Sequence, residues 1–584
     1  MRYLILTFCL LFSSQAYAEE LKTYCKPSQS CWPNVNEWQK LNQQVEGRLI
    51  TPGAYIKPCQ IDSKSQACQE TLKSISNPFI LEDQSGATQS TGWLNAWNSS
   101  PSNYVVAAKN TQDIVQAVNF ARIHNLKIVI KNTGHDYIGR SNAPDSLLIW
   151  THNMRGVTIH DHFVPQGCPL HQKGIPAVTA LAGTRWLEAY GEVVTNKGRY
   201  VQGGGCTSVG VAGGFTQGGG FGSFAKKFGL GAGSMLEVEV VTSDGKVLIA
   251  NDCQNQDLFW ALRGGGASTF GVVTKMTLKT HDLPKTFGRF EGNIQAESEA
   301  SFQKLIAQFI AFFRDNLNTE HWGEQVVITK DNQLKISMVF QGLSDKEAEA
   351  LWSPFKKWLN DNAGNYKSTF SSFVVPARHM WDYDYLSKYH PQAIVKGGKE
   401  ENIQYWWWSG DAAQVSHYWF SYQSRWLPSE LFQQDKLPQF SKTLFQASRY
   451  HDIQLHINKG LSGASPDAMS ASHKTAMNPA VFNAPMLLIS SAGAGEVFEG
   501  IPGHEPDFKA GKELAAAVNS AMSIIRKATP GAGAYINEAD YFEENWQDAF
   551  WGINYPRLLE IKQKYDPENV FTCHHCVGSE MIKE

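Results

Sequence analysis

Between residues 203 and 222 the chain reads GGGCTSVGVAGGFTQGGGFG, ten glycines in twenty residues. A flexible linker of that glycine content is filled out with serine. Here the fillers include Cys206, Val209, Val211, Phe215 and Phe221, so the segment packs, and backbone comes close to something else. Successive N–H groups with glycine at positive φ also form nests for anions such as phosphate, and both uses stay open. No G-x-G-x-x-G falls between a strand and a helix here, and no Walker sequence occurs. Such a segment needs a large folded body around it. The 584 residues, 42% hydrophobic and 18% charged, provide one, since at ~150 residues per domain two to four domains are expected and general disorder is excluded. Lys+Arg number 52 against 55 Asp+Glu, a formal charge of -3. With no block of like charge, nucleic acid is not an expected partner.

The first residues, MRYLILTFCLLFSSQAYA, combine one basic residue, an apolar run and a small-x-small Ala16-Tyr17-Ala18. That pattern predicts a cleaved signal peptide over residues 1–18 and a mature chain from Glu19. The apolar run is about half of what a bilayer span requires, and no other stretch is long enough, so no membrane span is expected. The predicted location is secreted or periplasmic. Twin arginines are missing, which favours the general secretion route, with any cofactor acquired outside the cytoplasm. Beyond the signal nine cysteines remain. In an oxidising compartment the short spacings suggest Cys25 with Cys31, Cys59 with Cys68 and Cys573 with Cys576, and Cys168 can close a long loop with Cys253. Cys206 is left over. The C-x-x-C at 573–576 has no second pair to complete a zinc site, so a disulfide is expected there and no metal.

From residue 103 to 280 short strands alternate with helices. Asn110 and Thr111 can cap a helix with Ile114, Val118 and Ala121 on one face, and KIVIK at 127–131 follows as a buried strand. A second helix begins near Arg185, aligns Trp186, Tyr190 and Val194, and stops at Gly198. Residues 237–240 alternate as a half-exposed strand, and Ser243-Asp244-Gly245-Lys246 turns into VLIAN. NQDLFWALRGGG reads as a helix ending on three glycines, and GVVTKMTLK as a strand. From 286 to 525 the texture changes to long amphipathic helices, such as the one from Ser301, and aromatic strands such as QYWWWSG from Gln404. This predicts a second domain. Residues 19–95, with four of the cysteines, read as a loop-like, disulfide-stapled extension over the surface.

Directly after the strand at 127–131 comes TGHDYIGRS, with His135 at its centre. Five separated motifs now stand in order: TGHDYIGRS, the glycine-rich segment, LFWALRGGG, YINEAD, and NYPRLLEIKQKYDPENVF. In this the chain resembles the berberine-bridge-enzyme-like branch of the vanillyl-alcohol-oxidase flavoproteins, over nearly its whole mature length. The resemblance implies an α+β fold: a PCMH-type FAD-binding domain of two α/β subdomains at 96–285, completed by 526–584, and an α+β substrate domain with an antiparallel sheet at 286–525. It implies FAD attached twice, through His135 to the flavin 8α-methyl and through Cys206 to ring carbon 6. It further implies that the pyrophosphate rests on backbone amides of residues 132–141, among them Asn132, Thr133, Gly134, Asp136, Tyr137, Gly139, Arg140 and Ser141. Gly204, Ser208, Gly213 and Val273 would lie near the isoalloxazine, ribityl or adenine portions, and Asn554 would approach the ring. Three residues after the attachment cysteine, valine accompanies oxidases of the family and leucine dehydrogenases; Val209 stands there, implying reoxidation by dioxygen to hydrogen peroxide.

Oxidation also needs a base for the substrate proton as hydride leaves. Tyr535 is the candidate. If residues 535–540 form a strand, Tyr535 and Asn537 share the flavin pocket while Glu538 and Asp540 point to the other face. Relatives carry an aromatic residue at the place of Glu538, which leaves the base open, and His456, Asn458 and Lys459 are further candidates. Trp406, Trp407 and Trp408 can line a sugar or aromatic pocket, though not all from one side of a strand. The expected activity is hydride transfer from a small alcohol, sugar or amine to FAD and then to dioxygen. The alternatives are a dehydrogenase with another electron acceptor and a non-catalytic, carbohydrate-binding exported protein. Oligomeric state is not indicated.

Overall fold

Asn110 starts the helix Thr111–Ile123 by a reciprocal cap, its side chain accepting from the Asp113 amide while the Asp113 carboxylate accepts from the Asn110 N–H. In the computed structural model, which describes residues 22–169, 173–400 and 403–582, that helix buries Ile114, Ala117, Val118 and Ala121. They join Ile128, Leu147 and Ile149 of a four-stranded sheet in one apolar cluster. The sheet runs Leu49–Ile50, Tyr104–Ala107, Ser146–Trp150, Lys127–Lys131, the last three strands parallel. Beyond the carboxyl end of an edge strand of this kind lies the ordinary ligand crevice of a parallel sheet, and there the 132–141 loop leaves Lys131. The predicted signal segment lies outside the described residues.

A second, antiparallel sheet of five strands follows, in the order Val247–Asn251, Met235–Val241, Val272–Lys279, Ile175–Leu181, Val157–Phe163. The helix expected from Arg185 forms as Trp186–Tyr190 and widens into a π-helical turn, Gly191–Asn196, before Gly198 takes φ +66°. The third sheet has nine strands and is antiparallel except where Ser90–Trp93 joins His417–Leu427 in parallel. Its strand Gln333–Gln341 alternates as far as Phe340: Leu334, Ile336, Met338 and Phe340 are buried, while Ser337 and Val339 between them are half-buried and line a cavity. The buried face is covered by helices, Phe290 stacking on Trp352 of the helix Asp345–Asp361 with ring centroids 4.2 Å apart. The helix expected from Ser301 runs Glu299–Phe312, because Ser298 caps it.

The N-terminal part differs from the loop-like extension expected. Asn34, Ser65 and Asn77 each cap a short helix, Val35–Gln44, Gln66–Ser74 and Pro78–Glu82 respectively. Its strands Leu49–Ile50 and Ser90–Trp93 are woven into two of the sheets. Trp38, Leu41 and Phe79 find apolar clusters to enter, and that burial is what short polar-looking stretches do not announce in sequence. The four expected cysteine pairs are within disulfide distance, and Cys206 is the free cysteine among the described residues. No helix of the described residues is long and apolar enough to cross a membrane.

Candidate active site

The 132–141 loop, the glycine-rich segment and the open face of the nine-stranded sheet enclose a cavity of about 520 Å³. One wall is backbone. The glycine-rich segment presents Gly203, Gly204, Gly205, Gly210, Gly213 and Gly214 to it. At Gly210 a Cβ would lie 2.2 Å from the Asn132 side chain, so no larger residue fits without displacing Asn132. Asn132 donates to the Ala182 carbonyl, and its Oδ1, in the cavity wall, is buried without a partner. A buried acceptor left open in this way fits a bound polar ligand.

His135 is held from behind. Its Nε2 lies 2.8 Å from Ser208 Oγ, 2.6 Å from the Gln89 side-chain nitrogen and 3.4 Å from Glu82 Oε1. Asp136 takes the amides of Ile138 (3.1 Å) and Arg140 (2.7 Å) and the Arg140 guanidinium. Across the cavity wall sits Cys206, whose thiol is pushed well above its ordinary value by burial and by the neighbouring Asp411 carboxylate. Asp411, half-buried with its Oδ2 shielded from solvent, is raised to about 6 by desolvation. Val209 lines the same wall.

The opposite floor is charged. Gln325, Gln454 and His456 project from the sheet, and Glu324 sits at φ +69° with its carboxylate 3.1 Å from Lys459 Nζ. Burial opposes ionisation of Glu324, but Lys459 and the Ser223 hydroxyl outweigh it and hold it below the usual carboxylate range. Burial, reinforced by Lys459, drops His456 to about 4, so its imidazole is neutral at physiological pH. Residues 535–538 form a tight turn, with the Glu538 amide donating to the Tyr535 carbonyl at 2.9 Å. This corrects the strand expectation: a turn brings Tyr535, Asn537 and Glu538 to the cavity together. Asn537 ties the two walls, donating to Gly214 O (2.8 Å) and to the Tyr535 hydroxyl (3.0 Å) and accepting from Arg140 (3.1 Å). Burial and the Glu538 charge push the Tyr535 phenol well above its ordinary value. Glu538 is raised to about 7, burial and Glu324 outweighing the pull of Lys459.

Of the residues expected around a flavin, Asn132, Thr133, Gly134, His135, Asp136, Tyr137, Arg140, Ser141, Gly204, Cys206, Val209, Gly213, Val273, Tyr535 and Asn537 line the cavity. Ser208 stands one layer behind, on His135. Gly139 packs against the Trp97 ring. Asn554 is not among the residues lining the cavity; its amide donates to the Met477 carbonyl (2.7 Å) just ahead of the helix Tyr555–Tyr565. Asn458 is structural, its amide donating to the Leu317, Thr319 and Trp322 carbonyls. Only Trp408 of the three tryptophans reaches the cavity; Trp406 and Trp407 are buried in the main apolar cluster. Glu82, Gln89, Glu324 and Asp411 were not foreseen. None sits in a motif, and each arrives from a distant segment.

A family model for the FAD binding domain matches residues 102–251, and one for berberine and berberine-like proteins matches residues 534–578. An uncharacterized FAD-linked oxidoreductase of Arthroderma benhamiae is 31% identical over 582 residues, covering 96% of this chain and 95% of its own length. The chain belongs to the berberine-bridge-like, VAO-type FAD-linked oxidoreductases. The crystal structure of a VAO-type flavoprotein from Myceliophthora thermophila C1 superposes on this FAD-linked oxidoreductase with a TM-score of 0.76 at 28% identity, covering 96% of this chain and 98% of the other. At the level of fold alone, glucooligosaccharide oxidase from Acremonium strictum is also similar, with a TM-score of 0.61 and 19% identity over 90% of this chain and 99% of its own. That enzyme carries a 6-S-cysteinyl, 8α-N1-histidyl FAD. In the present oxidoreductase the glycine-walled cavity, the open Asn132 acceptor and the His135 and Cys206 side chains that line it fit a flavin dinucleotide.

Proposed function

We propose that this protein is an exported oxidase that bonds FAD through His135 and Cys206 and takes hydride from a small alcohol, sugar or amine. The observation that carries this reading is that the free cysteine of the described residues opens into the same cavity as a histidine whose hydrogen bonds all fall on Nε2. Nδ1 is thereby left for a bond, the nitrogen used in the Acremonium enzyme. Residues 133–137 would cradle the pyrophosphate, since Asp136 consumes the amides of Ile138 and Arg140. Bound FAD supplies the two-electron acceptor and returns the electrons to dioxygen as hydrogen peroxide. Val209, the smaller of the two gatekeepers found in such enzymes, leaves room for dioxygen beside Cys206.

Glu538, rather than Tyr535, takes the substrate proton. A base works best with a pKa near the operating pH, and Glu538 at about 7 meets that condition. Tyr535 remains protonated, and because its oxygen already accepts from Asn537, its own proton is free to donate to a substrate oxygen. Tyr137, Tyr422 and Trp408 give the pocket aromatic faces suited to a sugar or a ring. The cysteine pairs and the predicted signal peptide support an oxidising destination. Acid-precipitated protein is expected to stay yellow, and an anaerobic panel of alcohols, oligosaccharides and cyclic amines to bleach it, with peroxide formed on readmitting air. A colourless precipitate overturns the covalent reading. Bleaching without peroxide on aeration overturns the oxidase in favour of a dehydrogenase.

A further inference from the structure

The carboxylate behind His135 comes from the N-terminal part of the chain, and the structure invests heavily in putting it there. Lys131, the last residue of the strand before the cofactor loop, is buried and donates to the carbonyls of Gln84 (2.9 Å), Ser85 (2.7 Å) and Ala87 (2.8 Å). The Gln89 amide donates to Gly134 O at 3.0 Å. These bonds register the segment 82–89 on the loop that carries His135. Glu82 is fully buried, and its Oε2 accepts from Arg185 Nε at 2.7 Å. The Phe79 and Tyr405 rings stack on each other with centroids 4.6 Å apart, and the Arg185 guanidinium carbon lies beside the pair, 5.1 and 4.9 Å from their centroids. The other oxygen, Oε1, is buried with no hydrogen-bond partner and lies 3.4 Å from His135 Nε2.

Three groups therefore face Nε2, and they are not equivalent. The Gln89 amide can present either its oxygen or its nitrogen, and the Ser208 hydroxyl can donate or accept. The carboxylate can only accept. We infer that Glu82 is a positioning residue that fixes the proton of His135 on Nε2 and so presents the Nδ1 lone pair as the nucleophile for flavin attachment. This rests on the histidyl linkage proposed above. Formation of that bond joins Nδ1 to the 8α-carbon, which loses one hydrogen as a proton. The imidazole gives up its Nε2 proton, and the two electrons left on the ring pass to dioxygen. While the new bond forms, the imidazole carries positive charge, and Glu82 is the anion that meets it.

The surroundings of Glu82 hold its charge in place. Arg185 faces it directly, and Lys131, lowered to about 7 by burial, is pulled back up by it. Glu188, raised by burial, pairs with Arg185 at 3.6 Å. Asp83 lies beyond, bound to His152, Arg155 and Arg185. Glu82 is thus held between the Arg185 guanidinium on one oxygen and His135 Nε2 on the other.

The test uses the full-length exported protein in the Cys206→Ala background, where His135 is the single remaining tether. Glu82→Gln replaces the acceptor by an amide that can donate to Nε2 and move the proton to Nδ1, as the equivalent carboxylate-to-amide change does in a catalytic triad without disturbing its geometry. Acid-stable flavin should fall at least tenfold, while reversibly bound FAD remains visible in the native absorbance. With Cys206 intact, Glu82→Gln should retain a cysteinyl-linked flavin and lack the His135-linked peptide. Undiminished histidyl linkage overturns the inference. Should Glu82→Gln not fold, Glu82→Asp keeps the charge facing Arg185 and withdraws it from Nε2 by about one bond length, ~1.5 Å. Slower linkage then supports the inference, and linkage at the parent rate overturns it. If the Cys206→Ala parent itself releases all its flavin on denaturation while the unmutated protein does not, the histidyl linkage fails, and the role of Glu82 with it.

Discussion

The two walls of the cavity are made of different materials. One wall is glycine and backbone, from Gly203 to Gly214, and the floor is a set of titratable side chains, Glu324, Lys459, His456 and Glu538. Backbone holds a large flat ligand closely and is indifferent to pH, whereas buried carboxyls and amines make chemistry possible at the cost of sensitivity to it. The 535–538 turn joins the two, since Asn537 bonds to Gly214 on one side and its neighbour Glu538 opens onto the other.

Breaking the floor should cost most in rate and nothing in cofactor. Glu538→Gln is expected to lower kcat by roughly 10² to 10⁴ with the flavin content unchanged. In the parent the base is active when deprotonated, and its carboxyl is raised to about 7. The rate should therefore climb as pH rises through about 7, and that limb should vanish in the variant; a steady-state pH profile of both reads it. Breaking the wall should do the reverse. Gly210→Val pushes on Asn132 and is expected to leave most purified protein without flavin, by the ratio of visible to ultraviolet absorbance.

Smaller changes sharpen the contrast. Val209→Leu should slow reoxidation of the reduced protein by dioxygen about tenfold, equivalent to ~1.4 kcal/mol, with substrate-driven bleaching unaffected; stopped-flow mixing separates the two half-reactions. Tyr535→Phe removes a donor and should lower kcat/KM by a similar or smaller factor, one hydrogen bond contributing about 0.5–1.5 kcal/mol. Lys459→Met removes the positive charge that pulls Glu538 down. The pH midpoint of the rate should move upward by less than about one unit, in proportion to a partly screened charge.

The glycine wall was legible in the sequence because close backbone approach demands glycine, and few other residues can stand at Gly210. His135 and Cys206 stand in motifs, three of the cysteine pairs follow from short spacing, and Cys168 with Cys253 follows only as a possible closure of a long loop. The floor was hidden for a different reason. Period-2 alternation tells which residues share a face, yet not which face is roofed by helices, so Gln325, Gln454 and His456 could not be ranked above any other polar strand residue. Glu538 departs from the family pattern, and strand alternation turns it to the wrong side, because the Tyr535 carbonyl and Glu538 amide close a turn there instead. Asn554 sat within a motif, but the motif recorded the packing of a helix start on Met477. Glu82 left no local trace, since its meaning depends on Lys131 pinning a segment more than forty residues away in sequence.

Peptide mapping of the denatured, purified protein by mass spectrometry addresses the central claim most directly. One FAD should be found joining the peptide that contains His135 to the peptide that contains Cys206, with the intact chain heavier by that cofactor. A chain at the mass of the bare polypeptide, with both peptides unmodified, would contradict it.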